Sequence, residues 1–135
     1  MRITFNADNL KKREKTCFYD EEGKLLCWSI YDFAFKHRTR LFDENDIEIA
    51  YVQKDISRND DYVIFADNKD KPFGSMERSS AGYAISPGDY HFSGTSEDGE
   101  IKNMMKVSSG NLEIENSKQL KEAVMILLGL IEIER

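Results

Sequence analysis

The chain has 135 residues, enough for one domain with a core of useful size. With 40 % hydrophobic and 11 % aromatic residues the composition is globular and does not suggest disorder. A net charge of −6 argues against a general nucleic-acid binder, and no signal-peptide pattern or transmembrane segment is read, so the expected setting is the cytoplasm.

In chain order, Met1 to Asn6 reads as a first strand with Ile3 and Phe5 inward. The basic run Lys11, Lys12, Arg13 and Lys15 reads as a flexible loop. A hairpin follows, turning at Asp20-Glu21-Glu22-Gly23 and flanked by Cys17 and Cys27. Depending on a bulge, these cysteines face each other or sit one place out of register. They are expected to be two reduced, partly buried thiols acting as small apolar residues. Leu26, Trp28 and Ile30 share one face of the next strand, with Cys27 and Ser29 on the other. Ile47, Ile49 and Tyr51 face one way, against Glu48 and Lys54 on the opposite parity. Val63 and Phe65 alternate with Tyr62 and Ile64.

The turns repeat. Phe18-Tyr19-Asp20-Glu21-Glu22-Gly23-Lys24-Leu25 is echoed by Leu41-Phe42-Asp43-Glu44-Asn45-Asp46-Ile47, by Phe65-Ala66-Asp67-Asn68-Lys69-Asp70-Lys71, and faintly by Ser96-Glu97-Asp98-Gly99-Glu100-Ile101. Asp20, Asp43 and Asp67 stand 23 and then 24 residues apart, the span of two strands with their turns. Tyr83 to Ile85, Tyr90 to Phe92, Ile101 to Val107 and Leu112 to Ile114 supply the later strands, with Pro87-Gly88 and Ser109-Gly110-Asn111 between them. About ten or eleven strands are counted, within a range of 10–12.

A helix then runs over 117–134. Asn116 is a good N-cap, and Gln119 is expected to complete a capping box. From Ala123 to Ile131 the helix is apolar all round, and this run is too short for a bilayer core, which takes about 20 residues. The helix is therefore expected at the centre of the domain, with Gly129 admitting close approach of a strand backbone. The predicted fold is mainly β: one domain over 1–135, an antiparallel barrel of successive hairpins through residue 115 around a hydrophobic C-terminal helix.

On these segments, Phe18 to Gly23, Leu41 to Ala50 and Leu120 to Ile133, the chain resembles the tubby C-terminal-like superfamily, especially its LURP-one-related branch. The resemblance covers nearly the whole chain. It implies a closed antiparallel barrel around a central helix, often of twelve strands; this sequence has room for slightly fewer, so a trimmed or incompletely closed barrel is expected. Relatives include tubby proteins, which bind phosphoinositides, and phospholipid scramblases. The implied function is a membrane-lipid or protein-binding module.

Candidate chemistry is sparse. Asp43, Asn45, Asp46 and Glu48, and likewise Asp67, Asn68 and Asp70, crowd oxygens together without the spacing of a calcium loop, and are read as turn chemistry. Ser86, Asp89 and His91 lack any nucleophile elbow, and His37 and His91 lack a metal-ligand spacing. No cofactor or metal is expected. The best functional candidate is Lys36-His37-Arg38-Thr39-Arg40, which on a strand aims Lys36, Arg38 and Arg40 from one face. This stripe either meets anionic phospholipid headgroups or pairs with acidic neighbours. The favoured reading is a non-catalytic module binding a protein partner. The alternatives are a peripheral binder of anionic headgroups using Lys36, Arg38 and Arg40, and an enzyme of unrecognised type.

Overall fold

The computed structural model describes residues 1–34, 37–55, 57–58, 60–88 and 90–135. In chain order it runs β1 (Arg2–Thr4), α1 (Ala7–Lys11), β2 (Thr16–Tyr19), β3 (Leu25–Asp32), β4 (Arg38–Asp43), β5 (Glu48–Lys54) and β6 (Tyr62–Asp67). It continues with β7 (Pro72–Ser79), β8 (Gly82–Ser86), β9 (Tyr90–Gly94), β10 (Gly99–Ile101), β11 (Met105–Ser108), β12 (Asn111–Ile114) and α2 (Leu120–Ile133). The strands form one closed barrel in which each pairs with its chain neighbours and β1 pairs with β12. Twelve strands close completely, the upper end of the predicted range, so the barrel is neither trimmed nor incompletely closed. Short strands such as β1 and β10, of three residues each, let twelve fit in this length. The last closure is slight: β1 meets β2 through the single pair Thr4 and Tyr19.

The hairpin repeat is a repeat of geometry. Asp20 Oδ1 accepts the amides of Glu22 and Lys24, both at 2.9 Å. Asp43 accepts those of Asn45 and Ile47 at 2.8 and 3.0 Å, and Asp67 those of Lys69 and Lys71 at 2.9 and 3.0 Å. In each turn the third residue after the aspartate is left-handed: Gly23 at φ 80°, Asp46 at 63° and Asp70 at 63°. Asp, Asn and Gly tolerate that conformation best, and the aspartate side chain mimics a backbone turn.

α2 is buried on every side, with each residue from Ala123 to Ile133 shielded. Full burial of a leucine or isoleucine contributes ~1.5–3 kcal/mol, so Ile126, Leu127, Leu128 and Leu130 anchor the fold. Around them stand Ile3, Phe18, Leu41, Val52, Val63 and Phe92, all fully enclosed. A barrel already holding a helix leaves a thin layer between helix and wall, so several inward positions are small: Thr16, Ser29 and Ala50. For this reason β3 turns Cys27, Ser29 and Tyr31 inward, while Trp28 and Ile30 lie on the outside. In β5 the inward residues are Ala50 and Val52, and Ile47 is 58 % exposed.

Two details of the helix differ from expectation. Asn116 does accept the Lys118 amide at 2.9 Å, but through a 3₁₀ turn over Ser117–Gln119. That turn places Gln119 immediately before α2, where its buried Oε1 has no partner, so the capping box does not form. At Gly129 a Cβ would collide with Met76 Cε and lie 3.1 Å from Phe65 Cε1. Side chains, rather than a strand backbone, occupy the space this glycine leaves.

The cysteines sit one place out of register: Cys17 opposes Trp28 and Cys27 opposes Phe18. They lie on opposite faces of the wall, and both are free thiols. Of the basic run expected as a loop, Lys11 ends α1, and Lys12, Arg13 and Lys15 lie in the turn and loop that lead to β2. Asn6 caps α1 by accepting the Asn9 amide at 3.0 Å, and Leu10 is buried.

Candidate functional site

The outer face of β3, β4 and β5 gathers the candidate cations. β4 begins at Arg38, since His37 is left-handed at φ 51°, so the strand covers only part of the basic run. Lys36 lies outside the described residues. Alternation sends Thr39 and Leu41 inward, where both are buried, and turns Arg38 and Arg40 outward. The two arginines therefore do share one face.

Both arginines are already engaged. Arg38 Nη1 meets Asp70 Oδ1 at 3.1 Å, and its guanidinium lies 4.1 Å over the Tyr51 ring. Arg40 Nε donates to Glu48 Oε2 at 2.6 Å, and its Nη1 stands 3.7 Å from Asp32 Oδ2. The Arg40 guanidinium also lies 5.1 Å from the Phe42 ring centre. Opposite charges on adjacent strands stabilise a sheet face, and partial shielding by the aromatic rings strengthens each contact. Burial, then the hydrogen bond to Asp70, pushes the Tyr51 phenol up.

The same face carries an aromatic platform. Trp28 and Phe42, opposed in register, stack with centroids 4.2 Å apart and planes 9° from parallel. Lys15 Nζ covers the Trp28 ring at 4.3 Å. Ile30 opposes Arg40 and is exposed, as is Ile47 in the following turn. The surface is thus a mosaic of aromatic and aliphatic groups between balanced charges.

The remaining sequence candidates are dispersed. Asp20, Asp43 and Asp67 each commit Oδ1 to two backbone amides, and the amides of Lys71 and Lys69 hold the Asp67 carboxyl below its ordinary value. Among the described residues no cluster of three or more His, Cys, Asp or Glu side chains is arranged around a common point. His91 Nε2 lies 2.6 Å from the Ala81 carbonyl oxygen, and Asp89 is outside the described residues.

A second charged cluster escaped the sequence reading. Glu132, only 3 % exposed near the end of α2, accepts from Thr39 Oγ1 at 3.1 Å. It also meets Arg13 Nη2 and Arg135 Nε, each at 3.4 Å. Arg13 lies 3.9 Å over the Tyr31 ring. Nearby, Glu134 accepts from Tyr83 Oη and the Ser96 amide, both at 2.8 Å, and Arg78 donates to the Ile133 carbonyl at 3.0 Å. Cations and donors at a helix C-terminus satisfy its orphan carbonyls and complement its dipole. The cluster fastens α2 to the rim. Its partners lie up to 119 residues apart in the chain, which leaves no local signal.

Among the described residues no helix is long and apolar enough to cross a membrane. Comparison with protein-family models, curated proteins and solved structures finds no match.

Proposed function

We propose that this chain is a non-catalytic binding module of tubby-like type that recognises another protein through the outer face of β3–β5. The observation that carries this reading is the pairing of Arg38 with Asp70 and of Arg40 with Glu48 and Asp32, beside stacked Trp28 and Phe42. A bare cationic stripe attracts phosphate; here the positive charge is balanced within the face. Tryptophan, tyrosine and arginine are the residues that dominate protein–protein hot spots. Exposed Ile30 and Ile47 supply apolar anchors beside them.

The test is twofold. A photo-crosslinking residue at position 30 should trap one stoichiometric protein in cells, and Ile47→Asp should abolish the trapping while leaving the melting temperature unchanged. In parallel, co-sedimentation with phosphatidylserine vesicles at low salt should show no binding. Salt-sensitive sedimentation lost in Arg38→Glu/Arg40→Glu would replace this reading with anionic headgroup recognition.

A further inference from the structure

The outer wall of the barrel has two unlike halves. From β2 to β6 the outward side chains include Tyr19, Trp28, Ile30, Phe42, Tyr62 and Ile64, each exposed or half-buried. Across the barrel, β8 to β12 turn out Ala84, His91, Ser93, Glu100, Lys106 and Glu113. Water is the ordinary neighbour of the second set. A contiguous apolar wall like the first marks a contact surface.

Charge divides in the same way. On the outer face of β3, β4 and β5, Arg38 and Arg40 stand against Asp32 and Glu48, a sum of zero, so the net −6 lies elsewhere. Unlike partners are normally sorted by opposed charge across the contact. A wall without net charge gives no such selection, but it does not repel its own copy. At a two-fold contact each surface meets itself, so a patch of one sign would oppose itself.

The ends of the wall set the orientation. Phe33, 61 % exposed, follows β3 at one end, and Ile47, 58 % exposed, precedes β5 at the other. The Ile47 end carries Asp43, Glu44 and Asp46, whereas Arg13, 5.8 Å from the Phe33 ring centre, and Arg38 stand at the Phe33 end beside Asp32. Copies lying parallel would set acidic turn against acidic turn. A two-fold axis crossing the strands brings each acidic turn to the other copy's Phe33 end instead.

We propose that the chain pairs with a second copy of itself through the β2–β6 wall, its strands antiparallel across the contact and Phe33 of each copy against Ile47 of the other. This rests on β3–β5 being a protein-binding face and names its partner. Five strands ~4.8 Å apart and up to eight residues long make a wall on the order of 500 Å². Standard interfaces bury about 800 Å² on each partner, so the dimer is reversible.

Sedimentation equilibrium of the full chain between about 5 and 500 µM tests the pairing. The average mass should climb from 15.6 kDa toward twice that value. Phe33→Glu would face the copy's acidic turn, and Ile47→Lys its Arg13 and Arg38, so each should weaken pairing about tenfold. The double variant sets opposite charges together at both ends and should recover most of the loss, which damage to the fold could not do. Glu100→Lys, on the opposite wall, should leave the mass curve unaltered. A chain that stays monomeric throughout overturns the proposal. So does a dimer indifferent to either single variant, or a double variant that fails to recover. A photo-crosslinker at position 30 separates self-pairing from the broader reading: an adduct of twice the chain mass supports it. An adduct with a different protein alone would overturn it and keep β3–β5 as a binding face, whereas no adduct would remove both.

Discussion

Trp28 Nε1 donates to Asp46 Oδ1 at 2.7 Å, tying β3 to the turn after β4. The relationship recurs one repeat further on, where Tyr51 Oη donates to Asp70 Oδ1 at 2.9 Å. In both, the acceptor is the left-handed residue of an aspartate turn. A cation covers the donor ring in both: Lys15 over Trp28 and Arg38 over Tyr51. The repeat therefore extends beyond the turns to a cation, ring and carboxylate on the outer wall.

Asp46→Asn should be nearly neutral, because asparagine adopts the left-handed conformation and keeps an acceptor. Asp46→Ala loses both and should cost ~1–2 kcal/mol in urea unfolding. Emission of the only tryptophan, Trp28, reports the transition and should shift in Asp46→Ala.

Leu127→Asp should prevent folding, since it puts an unpaired charge against the inner wall. Leu127→Ala should fold and lose ~2–5 kcal/mol. A soluble Leu127→Asp protein with the wild-type melting temperature would contradict the central position of α2.

At Gly129 two effects oppose each other. Alanine gains up to ~1 kcal/mol of helix propensity but must displace Met76 Cε, the end of a flexible side chain, so Gly129→Ala should change stability little. Gly129→Val should cost ~1–3 kcal/mol by overpacking. Met76→Ala in the same chain should recover part of that loss, a coupling measurable in a double-mutant cycle.

Glu132→Ala leaves Arg13 and Arg135 facing each other without their carboxylate and should cost ~3–5 kcal/mol. Glu132→Gln retains the acceptor for Thr39 and should cost less. Urea unfolding of the two variants ranks them.

Burial, with smaller contributions from Cys17 and Glu44, pushes the Cys27 thiol up from 9.0 to about 12. A thiol raised in the folded state stays protonated while the unfolded chain releases its proton. Its stability contribution is thus complete below about pH 9 and is lost as pH climbs toward 12. Cys27→Ala should flatten that alkaline limb, and intact protein at pH 8 should be alkylated at Cys17 well before Cys27, read by mass spectrometry.

The sequence makes the hairpin repeat and the apolar helix visible because both are local patterns: an aspartate that must satisfy its own turn, and a run with no polar face. Strand faces were less legible. Trp28 and Ile30 look like core residues until the helix is placed, after which the interior has room for Ser29 and Ala50 instead. Arg38 and Arg40 were visible as a stripe, but their partners Asp70, Asp32 and Glu48 come from other strands and turns. α1 did leave a readable trace, the Asn6 cap followed by an apolar Leu10.

The position of α2 after all twelve strands also fixes an order of events at the ribosome. β5, β6 and β7 pack against a helix that is synthesised after all of them, and β1 finds β12 only once more than a hundred residues have been made. Until then the inner faces of the hairpins have nothing to cover them. Local hairpins form early from their aspartate turns, while the barrel waits for its centre and then closes in one late, cooperative step. During that interval the nascent chain exposes its most apolar surface and is at its most prone to aggregation.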